Sequence, residues 1–454
     1  MKNENPFHKN QEVTLTVDGI TGEGQGVGRI GGVAFFVPGT VVGETVKAHI
    51  IKVEKRYCVA KVVSVLTESE NRETPRCEAY PFCGGCTMQH MTYEEQLRRK
   101  HAIVTDALER LGGFRELRVL PVLGMDDPWR YRNKGLFPFG TVDGTTAFGF
   151  YAPRSHRLIP LYDCPIQSER VMATARKIAV WANRFCVPVY EETTGKGTLR
   201  GCMIRETTDG KQMAVVVTKG ELPRESELKA ALKGIDSLYH SRNDRDTNVL
   251  LDGRFRLLSG EATLTELQDG VAFSVSPQSF LQVNPIQTRT LYRTAIEYLA
   301  PKPEETILDL YCGIGTISLQ IARRAGRVIG VECVPEAIED AKANAKRNGT
   351  DNAEFLCGQT ERVLPELLQR GVCPDAIVLD PPRKGCEPQA LEAIASSGAK
   401  RLVYVSCDPA TLARDLRLLC ANGYSIESVQ PVDMFPQTGH VESVVLMSRV
   451  GAKQ

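Results

Sequence analysis

At 454 residues, with 42% apolar and 24% charged content, the chain is too long for one hydrophobic core and has the composition of a globular protein of roughly two to four domains. Its first residues, MKNENPFHKN, contain no apolar leader, and no run of about 18 apolar residues follows. The expected compartment is therefore the cytoplasm, with no membrane contact, and the 14 cysteines are expected as thiols, ligands or nucleophiles rather than disulfides. A formal net charge of +1 excludes a globally basic nucleic-acid binder, so any such surface has to be local.

Residues 12–68 alternate in short runs (EVTLTV, GVAFFV, ETVKAHIIKVEK, CVAKVVSVL) between Gly- and Pro-containing turns, which predicts five strands closing a small barrel. Gly22, Gly24, Gly26 and Gly28 fall at every second residue and leave one face of an extended segment bare, for RNA contact or for a tight barrel corner. The following strands carry a modest basic bias in Lys47, Lys52, Lys55, Arg56 and Lys61. The glycine-rich turn with FVPGTVVGETV resembles a TRAM domain, a small barrel that binds structured RNA in other proteins, and implies that role for residues 1–68.

CEAYPFCGGC follows, placing Cys77, Cys83 and Cys86 in a C-x5-C-x2-C spacing, one thiol short of a closed site. It differs from the paired C-x2-C of zinc ribbons; His90 completes a zinc site only if it turns inward, and a fourth thiolate would suit an iron–sulfur cubane. YEEQLRRKHAIVTDALERLGG has helical spacing of Leu97, Ile103, Val104, Ala107 and Leu111 before a glycine stop, and is expected as a surface helix. From 129 to 157, Arg130, Arg132, Lys134, Arg154 and Arg157 face only Asp143 and interleave with Trp129 and Tyr131, a pattern that suits either an RNA-tracking strip or a solvated strand. Residues 69–270 are expected as a mixed α+β central domain without a catalytic motif.

From residue 271 to 454, β and α patterns alternate, which predicts a Rossmann-like α/β domain with a parallel sheet between helices. LDLYCGIG ends a strand in a glycine turn, and Glu332 closes the next strand, placed to accept ribose hydroxyls. The turn reads Gly313-Ile-Gly315-Thr-Ile-Ser318, without the third glycine of a dinucleotide site, so a cofactor with a ribose and no pyrophosphate, S-adenosylmethionine, fits better. In SFLQVNP, Gln282 and Asn284 offer amides to such a cofactor. VLDPPRKG and YVSCDPATLARDL place Asp380 and Cys407 just past two later strands, on the rim of the glycine turn. Asp408 and Pro409 start a helix whose dipole is expected to favour a Cys407 thiolate.

SCDPATLARDL, with DPPRKG before it and GHVESVVLM after it, resembles the RNA uracil-5-methyltransferase family. With the barrel and the cysteines included, the whole chain is similar to the TRAM-bearing iron–sulfur branch that modifies ribosomal RNA. The resemblance implies methylation of uracil C5 in RNA, 23S rRNA in that branch, through a covalent cysteine adduct at C6. Cys407 is then the nucleophile, Glu442 the base, and Gln282, Tyr311, Glu332 and Asp380 cofactor positions, of which Asp380 can instead meet the uracil. The resemblance also supplies Cys164, in YDCPIQ, as fourth ligand of a structural [4Fe-4S] cluster with Cys77, Cys83 and Cys86. No obligate protein partner is expected. Other readings are a tRNA uracil-5-methyltransferase, an iron–sulfur oxidoreductase, or an RNA-binding assembly factor.

Overall fold

Strict alternation in the first segment produces strands with one wet and one dry face. In β1 (Glu12–Ile20), Val13, Leu15 and Val17 are buried while Glu12, Thr14, Thr16 and Asp18 are exposed. β1 joins β2 (Gln25–Ile30), β3 (Val33–Pro38), β4 (Thr45–Val53) and β5 (Tyr57–Thr67) in a closed barrel of order β1-β2-β3-β5-β4, in a computed structural model that describes residues 5–451. The glycine face has two uses. A Cβ on Gly26 would strike Thr40 and Val17, and one on Gly28 would strike the Thr16 carbonyl, so both allow close strand approach. Gly22 and Gly24 instead lie against Ile103, Thr87 and Met88, and the Gly22 carbonyl meets Gly439. This face is used for packing the barrel onto the rest of the chain.

The central sheet has the order β12-β11-β10-β9-β6-β7-β8. Its strands are β6 (Lys134–Val142), β7 (Thr145–Tyr151), β8 (Leu158–Pro160), β9 (Leu199–Glu206), β10 (Gln212–Thr218), β11 (Ser237–Arg242) and β12 (Arg254–Gly260). The helix Glu169–Arg184 buries Val171, Met172, Ala175, Ile178 and Trp181 in the core beneath this sheet. The antiparallel hairpin Leu264–Gln268 and Val271–Val275 leaves it and packs on the C-terminal unit, where Asn348 and Asn344 side-chain oxygens accept from the amides of Ala272 and Ser274 at 2.9 and 2.8 Å.

The C-terminal sheet comprises β15 (Thr306–Leu310), β16 (Arg327–Glu332), β17 (Ala353–Cys357), β18 (Ala376–Leu379), β19 (Arg401–Ser406), β20 (Tyr424–Val432) and β21 (Glu442–Arg449). Numbering the hairpin strands β13 and β14, its order is β17-β16-β15-β18-β19-β21-β20, with β21 antiparallel to both neighbours. Successive strand residues go to opposite faces: Leu308, Ile377, Leu402 and Tyr404 enter one core, Ile307, Val378, Val403 and Val405 the other.

The helix after the cysteines, α1 (Tyr93–Ala107), continues as one wider turn over Leu108–Gly112. It is not the surface helix its apolar spacing suggests. Leu111 is exposed, while Val104 and Leu108 enter the core of the C-terminal sheet and Glu95, Gln96 and Lys100 are buried. Val119 and Leu123 then bridge to Val429 and Val432, extending that sheet beyond β20.

The barrel is tied to the chain that follows it by a buried ion pair. Glu44 is wholly buried, and Arg72 donates to its two oxygens at 2.5 and 2.7 Å and to the Gly39 carbonyl at 2.9 Å. Burial opposes ionisation of Glu44, but Arg72 and the Val41 amide outweigh it and hold the carboxyl below its ordinary value. A depressed carboxyl contributes stability that is present above the unfolded-state value and lost as pH falls through the folded one. Arg72→Ala, which strands a buried carboxylate, is expected to cost about 3 kcal/mol in urea unfolding at pH 7, with a smaller gap to the parent protein below the ordinary carboxylate range.

Candidate active site and cysteine centre

Strands β15, β18 and β19 are parallel neighbours, so the residues after them, Tyr311, Asp380 and Cys407, emerge on one rim. β16, on the other side of β15, ends there with Glu332. Glu442 reaches the rim from the opposite direction: β21 runs antiparallel to β19 with Ser443 across from Ser406, so its first residue adjoins the one that follows β19. With Gln282, all six candidate residues line one open cavity of about 1260 Å³.

Glu332 is fixed by the turn it faces, its carboxylate accepting from the Gly313 amide at 3.2 Å and the Val334 amide at 3.0 Å. Gly315 has φ +82°, and a Cβ there would press on the Phe355 ring at 3.1 Å, so both backbone and space require glycine. Tyr311 holds φ +68°, an unusual conformation at a rim residue. Where a dinucleotide site has its third glycine, Ser318 donates instead to the buried Asp309. A fixed acidic side chain above a glycine turn suits a ribose, so these residues fit S-adenosylmethionine. Asn284 does not join them. Buried, it caps the helix Pro285–Leu299 by accepting from the Gln287 amide at 3.1 Å and donates to the Met434 carbonyl at 3.0 Å.

Negative charge crowds the cavity floor. Burial first, and Asp380 second, push Glu442 up to about 8. Burial pushes Asp380 and Asp309 up to about 7 each. Cys407 is pushed up to about 11 by burial, then by Glu442 and Asp380, while Arg383 opposes the rise. The expectation of a thiolate favoured by a helix end is thus reversed in the free protein. Asp408 explains part of it: as N-cap of Pro409–Ala421 its carboxylate already accepts from the Ala410 and Thr411 amides, both at 3.0 Å.

Arg383 and His440 also line the cavity and were missed as individual residues, although DPPR and GHVE contain them. So does Phe280, at 73% exposure, whose only signal was its place beside Gln282. The basic segment is divided. Arg130 pairs with Asp163 at 2.6 Å, the buried Tyr131 donates to the Pro436 carbonyl at 3.0 Å, and Arg76 lies 4.7 Å over Trp129. Of the five basic residues, Arg132 reaches the cavity.

Cys77, Cys83, Cys86 and Cys164 line a second, small cavity, with Gly85 on the wall of both. Burial, then repulsion from the neighbouring cysteines, pushes the Cys86 thiol up to about 12, and burial pushes Cys164 up to about 11 and Cys83 in the same direction. His90 is not available, since Nδ1 bonds the Tyr80 hydroxyl at 2.5 Å and Nε2 the Thr40 carbonyl at 3.1 Å. Among the described residues, no group of three or more His, Cys, Asp or Glu is drawn together as a site for a metal ion.

Comparison with known proteins agrees with this architecture. The family model described as tRNA (uracil-5-)-methyltransferase matches residues 262–450, and that of the TRAM domain matches residues 6–63. An uncharacterized RNA methyltransferase of Clostridium tetani is 45% identical over 460 residues, covering 100% of both chains. Another, from Halalkalibacterium halodurans, is 42% identical over 452 residues, covering 98% of this chain and 99% of its own. The Pyrococcus abyssi tRNA (uracil-54, C5)-methyltransferase, solved with S-adenosyl-L-homocysteine, superposes with TM-score 0.77 at 27% identity over 96% of this chain and 99% of its own.

The raised carboxyls carry a sign. A buried acid with a folded-state value above its unfolded one supports the fold while neutral, and that support is lost as pH rises from the unfolded value through the folded one. Between about pH 4.5 and 8 the ligand-free melting temperature should fall as Asp309, Asp380 and Glu442 are forced to ionise. Asp380→Asn should flatten this slope and raise the melting temperature at pH 8 more than at pH 5, as measured by calorimetry.

Proposed function

The chain belongs to the TRAM-bearing RNA (uracil-5-)-methyltransferase family, and on that premise we propose that it methylates C5 of a uridine in 23S rRNA through a covalent bond from Cys407 to C6. It is an S-adenosylmethionine-dependent RNA methyltransferase. The observation that carries the covalent reading is the meeting of Cys407 and Glu442 on the cavity that also holds Glu332, Tyr311 and Gln282. A cytoplasmic location is part of the proposal; among the described residues no helix is long and apolar enough to cross a membrane.

Uracil C5 is a poor carbon nucleophile, and a thiolate adding at C6 makes it an enolate carbon. S-adenosylmethionine, when bound, supplies an electrophilic methyl group to that carbon. Gln282, Tyr311, Glu332 and Asp380 are proposed to hold it, Asp380 being the one that can instead meet the uracil. Cys407 has to lose its proton before attack, and Asp380, unusually basic at about 7, is suited to take it, which leaves the Glu442 carboxylate, raised to about 8, free for the C5 proton. Arg383 is the cation that favours the ionised forms of both Cys407 and Glu442. In the last step the Glu442 carboxylate takes the proton from C5, the electron pair restores the C5–C6 double bond, and the Cys407 thiolate leaves. The target base has to be unstacked for access to both faces.

Cys77, Cys83, Cys86 and Cys164 are proposed to hold a [4Fe-4S] cluster. Four thiols around one cavity, whose lining among the described residues carries no imidazole or carboxylate, favour a thiolate-only centre. The C-x5-C-x2-C spacing with a distant fourth thiol differs from the paired C-x2-C of zinc ribbons, and four thiolates suit an iron–sulfur cubane. Methyl transfer moves no net electrons, so the group is structural: it would cross-link residues 77–86 to 164 and hold the wall that Gly85 shares with the catalytic cavity. A three-part division at 68 and 270 is proposed, with residues 93–123 packing as part of the third unit and the hairpin at 264–275 straddling the second boundary. Transfer RNA is the second reading, favoured by the substrate named for the Pyrococcus neighbour.

RNA containing 5-fluorouridine tests the mechanism, because fluorine at C5 cannot leave as a proton. An adduct resistant to denaturation is expected on Cys407 and absent with Cys407→Ala; bound RNA without adduct rules the mechanism out. Glu442→Gln should lower kcat on the order of 10²–10⁴-fold. Since both reactive groups work deprotonated, the rate should climb from pH 7 to 9, and Arg383→Gln should move that climb upward. Mapping 5-methyluridine in total RNA with and without the protein separates ribosomal from transfer RNA. Iron and sulfide analysis of protein purified without oxygen tests the cluster, with loss of both expected in Cys164→Ser.

A further inference from the structure

Residues 433–440 join β20 to β21 and end two positions before Glu442. Five consecutive carbonyls of this segment each accept a hydrogen bond from a different place. Gln287 donates to the Asp433 carbonyl at 3.0 Å, Asn284 to Met434 at 3.0 Å, Lys100 to Phe435 at 3.0 Å and Tyr131 to Pro436 at 3.0 Å. The amides of Thr87 and Met88 both donate to the Gln437 carbonyl at 3.0 Å. Three of these five donor sites lie outside the C-terminal sheet and its own helices.

The side chains are held as firmly. Asp433 and Lys100 are both wholly buried and lie 2.5 Å apart, and the Tyr93 hydroxyl donates to the second Asp433 oxygen at 2.8 Å. Gln96 and Gln437 make reciprocal bonds: the Gln96 amide donates to the Gln437 side-chain oxygen at 3.0 Å, and the Gln437 backbone amide to the Gln96 oxygen at 2.9 Å. Gln437 has φ +72°, a conformation that persists where its surroundings over-determine it. Next to it, the Gly439 amide donates to the Thr87 hydroxyl at 3.2 Å, and a Cβ on Gly439 would strike the Gly22 carbonyl.

Cys407 is not on this segment; it follows β19. The segment contributes Phe435, Thr438 and His440 to the cavity wall and sets where β21 begins. We infer that Lys100 and Gln96, on a helix outside the methyltransferase sheet, are positioning residues for Glu442, acting through Asp433 and Gln437 to set the carboxylate where it removes the C5 proton. The inference rests on the reading of Glu442 as base. It predicts a selective defect: attack by Cys407 proceeds, while resolution of the methylated adduct stalls, leaving the sulfur–C6 bond intact with the proton still on C5.

The test uses the full-length protein as Gln96→Met, which removes the reciprocal amide pair without stranding a charge, and as Lys100→Met, with Glu442→Gln as reference. S-adenosyl-L-homocysteine binding by calorimetry reports an intact cofactor pocket. Expected are unchanged cofactor affinity, kcat lower by on the order of 10²-fold, a wild-type rate of adduct formation with 5-fluorouridine RNA, and a denaturation-resistant RNA adduct with ordinary uridine RNA, as in Glu442→Gln. If Glu442→Gln accumulates the ordinary adduct and Gln96→Met does not, the positioning inference is overturned while the base stands. If Glu442→Gln accumulates none, the base reading falls and this inference with it. Parallel loss of both adducts in Gln96→Met means a general structural role and also overturns it. Where Lys100→Met does not fold, Gln96→Met decides.

Discussion

A lysine and an aspartate with no solvent contact, Lys100 and Asp433, lie 2.5 Å apart at the junction of the chain's parts. Taking two charges out of water costs several kcal/mol each, and their attraction offsets this only with good geometry and further hydrogen bonds. Those bonds are present: Tyr93 serves the carboxylate, and the Phe435 carbonyl serves the ammonium. Burial works to pull the Lys100 ammonium down and Asp433 works against it. A pair of this kind adds little stability over a hydrophobic packing of the same volume, but any arrangement that separates its members leaves an uncompensated buried charge. Here the pair docks α1, the cysteine segment and the barrel turn against the strand connection that precedes Glu442.

The consequence is that the reactive cavity is not a property of the C-terminal sheet alone. Its floor comes from strand ends of that sheet, but Gly85 and Arg132 complete its wall from the preceding units. The barrel reaches the same place through Gly22, whose carbonyl abuts Gly439. The barrel and the segment that leads to Glu442 are therefore connected by a short path of backbone contacts.

The cavity's electrostatics follow from burying acids together. Burial raises Asp309, Asp380 and Glu442 above the carboxylate range, Asp380 adds to the rise of the other two, and Cys407 is raised by burial and then by Glu442 and Asp380. In the free protein this keeps the thiol protonated. It also makes the carboxylates basic enough to move protons near neutrality, which is the property the proposed chemistry uses.

Motifs with local causes were legible in the chain. Period-two alternation determined the barrel strands, the β-turn-α punctuation determined the parallel sheet, and strand-end placement determined that Tyr311, Glu332, Asp380 and Cys407 share a rim, because parallel neighbours end on one side. Glu442 was legible only by family resemblance, since an antiparallel reversal that brings residue 442 beside residue 407 leaves no local mark. The role of α1 was misread for a physical reason: its apolar spacing describes the Ile103 and Val104 contacts, but the face that matters is polar and buried, and polar residues read as exposed until their partners are known. Asn284 looked like a ligand and is a helix cap; Arg130 and Tyr131 lie in a segment that suited either an RNA strip or a solvated strand with its aromatics in the core, and they hold the fold. The sequence by itself determined which elements form and which residues are chemically capable. Tertiary structure alone decided which polar groups meet, because hydrogen-bond partners such as Lys100 and Asp433, 333 residues apart, are specified by packing and not by any pattern within either segment.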